Sequence, residues 1–106
     1  MQRIGVFGSG SIGMYLGGCL QAAGAPVVYI GRPAMAQMLQ ANGLRLTDYL
    51  GRDQYLNADT LNFSGTVTAL ADCDVVLVTV KSAATAEAAV ELAANLRPGT
   101  LVISFQ

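Results

Sequence analysis

The sequence predicts a single domain of the doubly wound α/β class, built on a mainly parallel sheet, over residues 1–106. Three observations indicate this class. Short apolar runs rich in β-branched residues alternate with segments of helical periodicity, and a glycine-rich turn directly follows the first apolar run. Hydrophobic residues make up 53% of the chain and charged residues 12%, which is enough apolar material for a folded core.

The first third of the chain predicts a βαβ unit. Residues 3–7 are a strand buried on both faces, and residues 27–30 are a second one. Between them a helix is expected over residues 11–23, because Gly24 and Pro26 end it. Its apolar positions recur at helical spacing: Ile12, Leu16, Cys19, Leu20 and Ala23.

The remaining elements follow the same alternation. A helix over residues 34–41 has an apolar face of Met35, Met38 and Leu39 and ends at Asn42-Gly43. The elements expected after it are a hairpin of residues 44–47 and 54–56, a buried strand over residues 75–80, a helix over 84–96 and a strand over 100–105. Parallel sheets of this kind bind ligands beyond the carboxyl ends of their strands, so the function is expected there.

The turn after the first strand has the pattern G-x-G-x-x-G. Its residues are Gly8, Ser9, Gly10, Ser11, Ile12 and Gly13. The first glycine permits a tight turn, the second lets a pyrophosphate approach the backbone, and the third lets helix and strand pack closely. The helix N-terminus adds unpaired N–H groups and a partial positive charge. The strand–turn–helix context therefore predicts a Rossmann-like dinucleotide site, and a glycine-rich turn without a ligand is the alternative.

The end of the second strand indicates which dinucleotide binds. An acidic residue at this position hydrogen-bonds the ribose of NAD, whereas an arginine suits the 2′-phosphate of NADP. Asp48 is the only acidic residue before Tyr49, and Arg32 follows the strand. We therefore expect NADP as the cofactor, with Arg32 binding its 2′-phosphate. A solvated loop arginine is the alternative.

Lys81 is the only lysine of the chain and follows the most apolar predicted strand on the ligand side of the sheet. We expect it to bind the cofactor. A catalytic lysine is less favoured, because nothing in the sequence places it against a substrate carbonyl. A solvent-exposed lysine at a strand end is the third possibility.

Composition excludes several other functions. Six basic residues against seven acidic ones leave no surplus charge for nucleic acid. With no histidine and two cysteines, we expect no metal site. Glycines and polar residues interrupt the uncharged stretch of residues 4–31, so neither a secretory signal nor a membrane segment is predicted and a cytoplasmic location is expected.

Five segments together resemble the N-terminal domain of ketopantoate reductases, the 2-dehydropantoate 2-reductases. They are I-G-V-F-G-S-G-S-I-G-M-Y-L-G-G at residues 4–18, I-G-R at 30–32, A-N-G-L-R-L at 41–46, V-T-V-K at 78–81 and S-F-Q at 104–106. The resemblance covers essentially the whole chain. It implies NADPH-dependent reduction of 2-dehydropantoate to pantoate, on the route to pantothenate and coenzyme A. It also implies that residues 8–13 hold the pyrophosphate and that Arg32 and Lys81 contact the cofactor.

The chain departs from the family pattern at its end. Family members carry an asparagine and a glycine directly after the glutamine that matches Gln106, and this asparagine helps to hold nicotinamide and substrate. They also have a second, helical domain that supplies the catalytic lysine and an acidic substrate-binding residue. Neither feature is in this sequence. We therefore expect a truncated protein or an isolated cofactor domain, with no catalytic residue of its own, that binds NADP(H) and meets a 2-keto acid substrate only with the missing domain.

One further hypothesis remains open, and another is disfavoured. A non-catalytic module that senses a dinucleotide and regulates a partner would also suit a chain without a substrate domain. A methyltransferase-type domain is disfavoured, because it needs an acidic residue where Arg32 stands. A truncated sheet would also expose apolar surface, so a homodimer is a possibility that light scattering can test.

Overall fold

A computed structural model gives the fold of the chain and describes residues 2–8, 11–31, 33–47, 50–51, 53–80 and 85–104. The strands are β1 Ile4–Phe7, β2 Val27–Ile30, β3 Leu44–Thr47, β4 Asp53–Leu56, β5 Asn62–Ser64, β6 Val75–Val78 and β7 Leu101–Ser104. The helices are α1 Ser11–Ala22, α2 Pro33–Asn42 and α3 Thr85–Asn95, with short 3-10 helices at Ala58–Thr60 and Val67–Leu70.

The central sheet has five strands in the order β5-β2-β1-β6-β7, and every described pairing within it is parallel. Strand β1 therefore lies in the middle, with the crossover through α1 leading to β2 on one side. β3 and β4 form a separate antiparallel hairpin, with Leu44 opposite Leu56. The predicted α/β class, its parallel sheet and the hairpin are confirmed.

Apolar side chains fill a core on each face of the sheet. In β2, Val28 and Ile30 face one cluster, whereas Val27 and Tyr29 face the other, because successive side chains of a strand point to opposite faces. The first cluster includes Leu92 of α3, and the second includes residues of α1 and α2. Helices thus cover both faces, which is the doubly wound arrangement.

Glycines let α1 approach the sheet and the hairpin closely. A Cβ atom at Gly17 would lie 2.5 Å from the Tyr29 ring and 3.0 Å from Cγ2 of Val6. At Gly18 it would lie 2.5 Å from Cδ2 of Leu46. A side chain at Gly17 would strike the buried Tyr29 ring, and one at Gly18 would require the Leu46 side chain to move, so α1 rests directly on buried residues of β1, β2 and β3.

Tyr29 ties three elements together. Its ring is fully buried and stacks on Phe63 of β5, with ring centroids 6.4 Å apart. Its hydroxyl donates to Oε1 of Gln21 at 2.9 Å, and Nε2 of Gln21 donates to the Thr60 carbonyl at 2.8 Å. Burial raises the pKa of the Tyr29 phenol well above its ordinary value. The neutral phenol is thus the form that links β2, α1 and the segment before β5.

Two predicted details were wrong, and one strand was missed. Strand β6 ends at Val78 and not at residue 80, because its neighbour β1 turns away at Gly8, directly after Phe7, the residue paired with Val78. The apolar side chains of Ile12 and Met38 are exposed, since other residues face the core: in α1 these are Met14, Leu16, Leu20 and the glycines, and in α2 they are Met35 and Leu39. Strand β5 was not predicted, because it is only three residues long and pairs with β2 alone.

Candidate functional site

The glycine turn lies at the carboxyl end of the central strand. β1 ends at Phe7, the chain turns at Gly8 with φ of +101°, and α1 begins at Ser11. The Gly8 amide donates to the carbonyl of Ile30, the last residue of β2, at 3.0 Å. A residue with a side chain is strained at this φ, so the sequence places glycine where the backbone needs it.

The segment after β6 closes the other side of this turn. A Cβ atom at Gly8 would lie 3.0 Å from the Val80 nitrogen and 3.2 Å from the carbonyl carbon of Thr79. These are backbone atoms, which cannot rotate away as a side-chain tip can. Glycine at position 8 therefore lets the end of β1 and the segment after β6 approach each other this closely.

Gly13 makes the corresponding contact from the first turn of α1. A Cβ atom there would press against the Gly8 carbonyl oxygen and would lie 2.5 Å from Oγ1 of Thr79. It would also lie 3.1 Å from Cγ1 of Val6 in β1. The helix N-terminus is thereby held against the strand end, which directs its N–H groups toward the carboxyl edge of the sheet.

Thr79 joins the two strands at this point. Its amide donates to the Phe7 carbonyl at 2.9 Å, and its hydroxyl donates to the Gly8 carbonyl at 2.6 Å, with the Phe7 carbonyl at 3.2 Å from the same hydroxyl. The sequence analysis did not select Thr79, because a threonine inside a β-branched run has the appearance of an ordinary strand residue.

The structure brings some of the predicted site residues together and leaves others outside the described part of the chain. Gly8 and Gly13 both lie against Thr79. Ser11 is the first residue of α1, and Ile12 follows it with 62% of its surface exposed. Ser9, Gly10, Arg32 and Lys81 lie outside the described residues.

The positions that precede the two predicted cations are described. Gly31, just before Arg32, donates its amide to the Ser64 carbonyl at the end of β5, at 3.4 Å. Val80, just before Lys81, lies against Gly8. Gly31 and Val80 therefore lie at the same edge of the sheet, on the two sides of Gly8.

At the opposite edge of the sheet, charged side chains hold the ends of the strands together. Asp74 accepts a hydrogen bond from the Arg3 amide at 2.7 Å and pairs with the Arg97 side chain, while Asp72 lies 3.9 Å from the Arg3 guanidinium. Both aspartates therefore lie at the edge of the sheet away from the glycine turn. They fasten the starts of β1 and β6 to the turn before β7.

A cleft of about 350 Å³ also opens at this opposite edge. It is lined by Arg3, Gln21, Ala25, Pro26, Val27, Val28, Thr60 and Asn62. The amide of Gln21 is already hydrogen-bonded to Tyr29 and Thr60, and the exposed guanidinium of Arg3 lies 3.9 Å from the carboxylate of Asp72. The cleft thus has volume without a convergent set of ligand groups, whereas α1 begins at the glycine turn, and a helix N-terminus is a general anion-binding feature.

Other kinds of site are not indicated in the described part of the chain. Cys19 and Cys73 are free thiols, and burial raises the pKa of the Cys73 thiol, which keeps it protonated and unreactive. No group of three or more metal-ligating side chains occurs among the described residues. Within the same residues, no helix has the length and apolar character that crossing a membrane requires.

A parallel sheet in this order, with a glycine turn leading from its central strand into a helix, defines a Rossmann-like domain. The chain belongs to the ketopantoate reductase PanE/ApbA family, whose profile matches residues 4–106. The resemblance seen in the sequence is thereby confirmed.

Solved structures support the same family. The PanE/ApbA family ketopantoate reductase from Ralstonia eutropha JMP134 is 35% identical, with a TM-score of 0.86, and the match covers 98% of this chain and 34% of that one. The 2-dehydropantoate 2-reductase from Geobacter metallireducens GS-15 is 26% identical, with a TM-score of 0.83, and covers 98% of this chain and 33% of its own. The chain thus spans about a third of the length of these relatives. A comparison with curated proteins finds no match.

Proposed function

We propose that residues 1–106 are the NADP(H)-binding domain of a ketopantoate reductase-like enzyme that reduces 2-dehydropantoate to pantoate. The observation that carries the proposal is the glycine turn, in which Gly8 and Gly13 leave no room for a Cβ atom at the carboxyl edge of the sheet. A turn packed in this way presents backbone N–H groups, and not side chains, to a ligand. The resemblance to family members supports the same cofactor site.

The residues of this chain would divide the work of binding. Residues 8–13 would hold the pyrophosphate, and Arg32 would pair with the 2′-phosphate through its planar guanidinium. Lys81 would bind the cofactor from the opposite side of the turn. When bound, NADPH supplies the hydride for the reduction. In this proposal the chain binds and orients the cofactor, and the catalytic residues lie outside residues 1–106.

A titration of the purified chain with NADPH and NADH, at one ionic strength, tests this proposal. We expect NADPH to bind about ten- to hundredfold more tightly, because a charge-assisted arginine–phosphate contact is worth that much when partly shielded from water. The variant Arg32→Ala should lose the preference and keep residual binding of both dinucleotides.

Arg45→Ala is the matched control, because it removes the same charge from the exposed hairpin. Arg45 bonds Asp53 at 2.8 Å and both side chains are exposed, so the loss should affect stability little and binding not at all. Equal affinity of the wild-type chain for NADPH and NADH would contradict the NADP assignment. Reduction of 2-dehydropantoate by the isolated chain would contradict the placement of catalysis elsewhere.

We further propose that the chain self-associates through β7. All four residues of this strand are exposed and none is charged, and β7 is an edge of the described sheet, with a row of backbone groups that a second copy can pair with. We expect the molar mass from light scattering to rise with concentration, and Val102→Lys to suppress the rise. A constant monomer mass for the wild-type chain over the whole series would refute this.

The expected cytoplasmic location stays a prediction.

A further inference from the structure

We propose that Thr79 is a positioning residue of the dinucleotide site: its hydroxyl fixes the glycine turn in the shape that accepts the pyrophosphate. The inference rests on the proposed function and extends it to a residue outside the glycine motif. Thr79 follows β6, whose last residue, Val78, is paired with Phe7. It therefore stands beside the first residue of the turn, where the two strands separate.

The hydroxyl of Thr79 holds the turn from one side. It donates to the Gly8 carbonyl at 2.6 Å, which is a short hydrogen bond for a hydroxyl donor. On the other side the Gly8 amide donates to the Ile30 carbonyl at 3.0 Å. Both polar backbone groups of Gly8 are thus hydrogen-bonded, the amide to the last residue of β2 and the carbonyl to Thr79, so Gly8 is held on both sides.

The same hydroxyl also touches the helix that begins the site. A Cβ atom at Gly13 would lie 2.5 Å from Oγ1 of Thr79, so the hydroxyl occupies the space between the turn and the first turn of α1. One atom thereby sets both the position of the Gly8 carbonyl and the approach of the helix N-terminus. Backbone N–H groups bind a phosphate only within a narrow range of distance and angle, so a small displacement here weakens binding.

The variant Thr79→Val tests the proposal, because valine keeps the shape of the side chain and replaces the hydroxyl with a methyl group. The Gly8 carbonyl then loses its partner and meets an apolar atom, which pushes the turn away. We expect the Kd for NADPH to rise about tenfold, the change that corresponds to one lost hydrogen bond. Thr79→Ser, which retains the donor, should stay within about twofold of the wild-type Kd.

Thr100→Val is the matched control. The Thr100 hydroxyl also donates to backbone carbonyls, those of Arg97 at 3.0 Å and Cys73 at 3.2 Å, but at the opposite edge of the sheet. The two valine variants should therefore lower the urea midpoint of unfolding by similar amounts, and only Thr79→Val should change the Kd. This separates a positioning role from a general loss of stability.

Three outcomes would count against the proposal. If the wild-type chain binds NADPH and Thr79→Val binds it equally well, the positioning role is wrong and the proposed function stands. If Thr100→Val weakens binding as much as Thr79→Val does, the effect is one of stability alone. If the wild-type chain binds no dinucleotide, the proposed function itself fails. Should Thr79→Val not fold, Thr79→Ala removes the hydroxyl without placing a methyl group against the Gly8 oxygen and carries the same comparison.

Discussion

Replacing Gly13 with alanine is expected to lower the free energy of unfolding by about 3 kcal/mol and to abolish measurable NADPH binding. The added methyl group would press against the Gly8 carbonyl oxygen and lie 2.5 Å from Oγ1 of Thr79. The first of these is a backbone atom that is held in a hydrogen bond, so it cannot move without reorienting the whole turn. Relief comes only if α1 shifts away from β1, which removes the helix N-terminus from the site.

Urea unfolding and an NADPH titration, run on the same preparations, measure the two effects. Gly65→Ala is the control for the free energy of unfolding, because no atom lies within 4 Å of a Cβ atom at that position and its φ is not positive. It should raise stability by less than about 1 kcal/mol, through the reduced entropy of the unfolded chain. A Gly13→Ala chain with wild-type stability and affinity would show that the helix does not pack on the turn as described.

Much of the fold could be predicted because its central strands are buried on both faces. Strands β2 and β6 are uninterrupted apolar runs between turn residues, a pattern that both predicts a strand and places it inside a parallel sheet. Strand β5 carries no such signal. It has one apolar residue, Phe63, and it forms a strand because β2 offers a backbone partner and Tyr29 offers a ring to stack on. Its existence is decided by tertiary contacts that the local sequence does not encode.

Part of the candidate site could also be predicted from the sequence, namely the glycine turn. The spacing of Gly8 and Gly13 predicts the turn, because glycine is needed wherever backbone and helix meet without a side chain between them. Thr79 was missed, because its role depends on which strand neighbours β1. Once β6 is known to lie there, the residue that follows β6 must stand beside the glycine turn, and a hydroxyl at that position has a carbonyl within reach.

The second large effect on stability is expected in the apolar cluster that includes Leu92 of α3. Leu70 is fully buried in this cluster, although it comes from a short 3-10 helix that no sequence pattern predicted. Leu70→Ala should lower the free energy of unfolding by about 3 kcal/mol, because it removes buried methyl groups and leaves a cavity. Urea unfolding at unchanged m-value measures the loss. A loss below about 1 kcal/mol would mean that the site is not packed as described.

A second substitution can refill this cavity from the neighbouring strand. A Cβ atom at Gly5 would collide with the Leu70 side chain and would lie 3.0 Å from Sγ of Cys73, so Gly5→Ala alone should cost about 1 to 3 kcal/mol by overpacking. In the double variant the new methyl group enters the space that Leu70 leaves, and the total loss should fall short of the sum of the two single losses by at least about 1 kcal/mol.

Leu92→Ala supplies the matched comparison for this cycle. Leu92 belongs to the same cluster and is nearly as buried as Leu70, but the atoms nearest to a Cβ at Gly5 are those of Leu70 and Cys73. Combined with Gly5→Ala, it should therefore give additive losses, because the new methyl group does not reach its cavity. Additive losses in the Leu70 pair as well would contradict the contact between β1 and the 3-10 helix. A deficit confined to the Leu70 pair would establish that the absence of a side chain at Gly5 is what lets this irregular segment close the core.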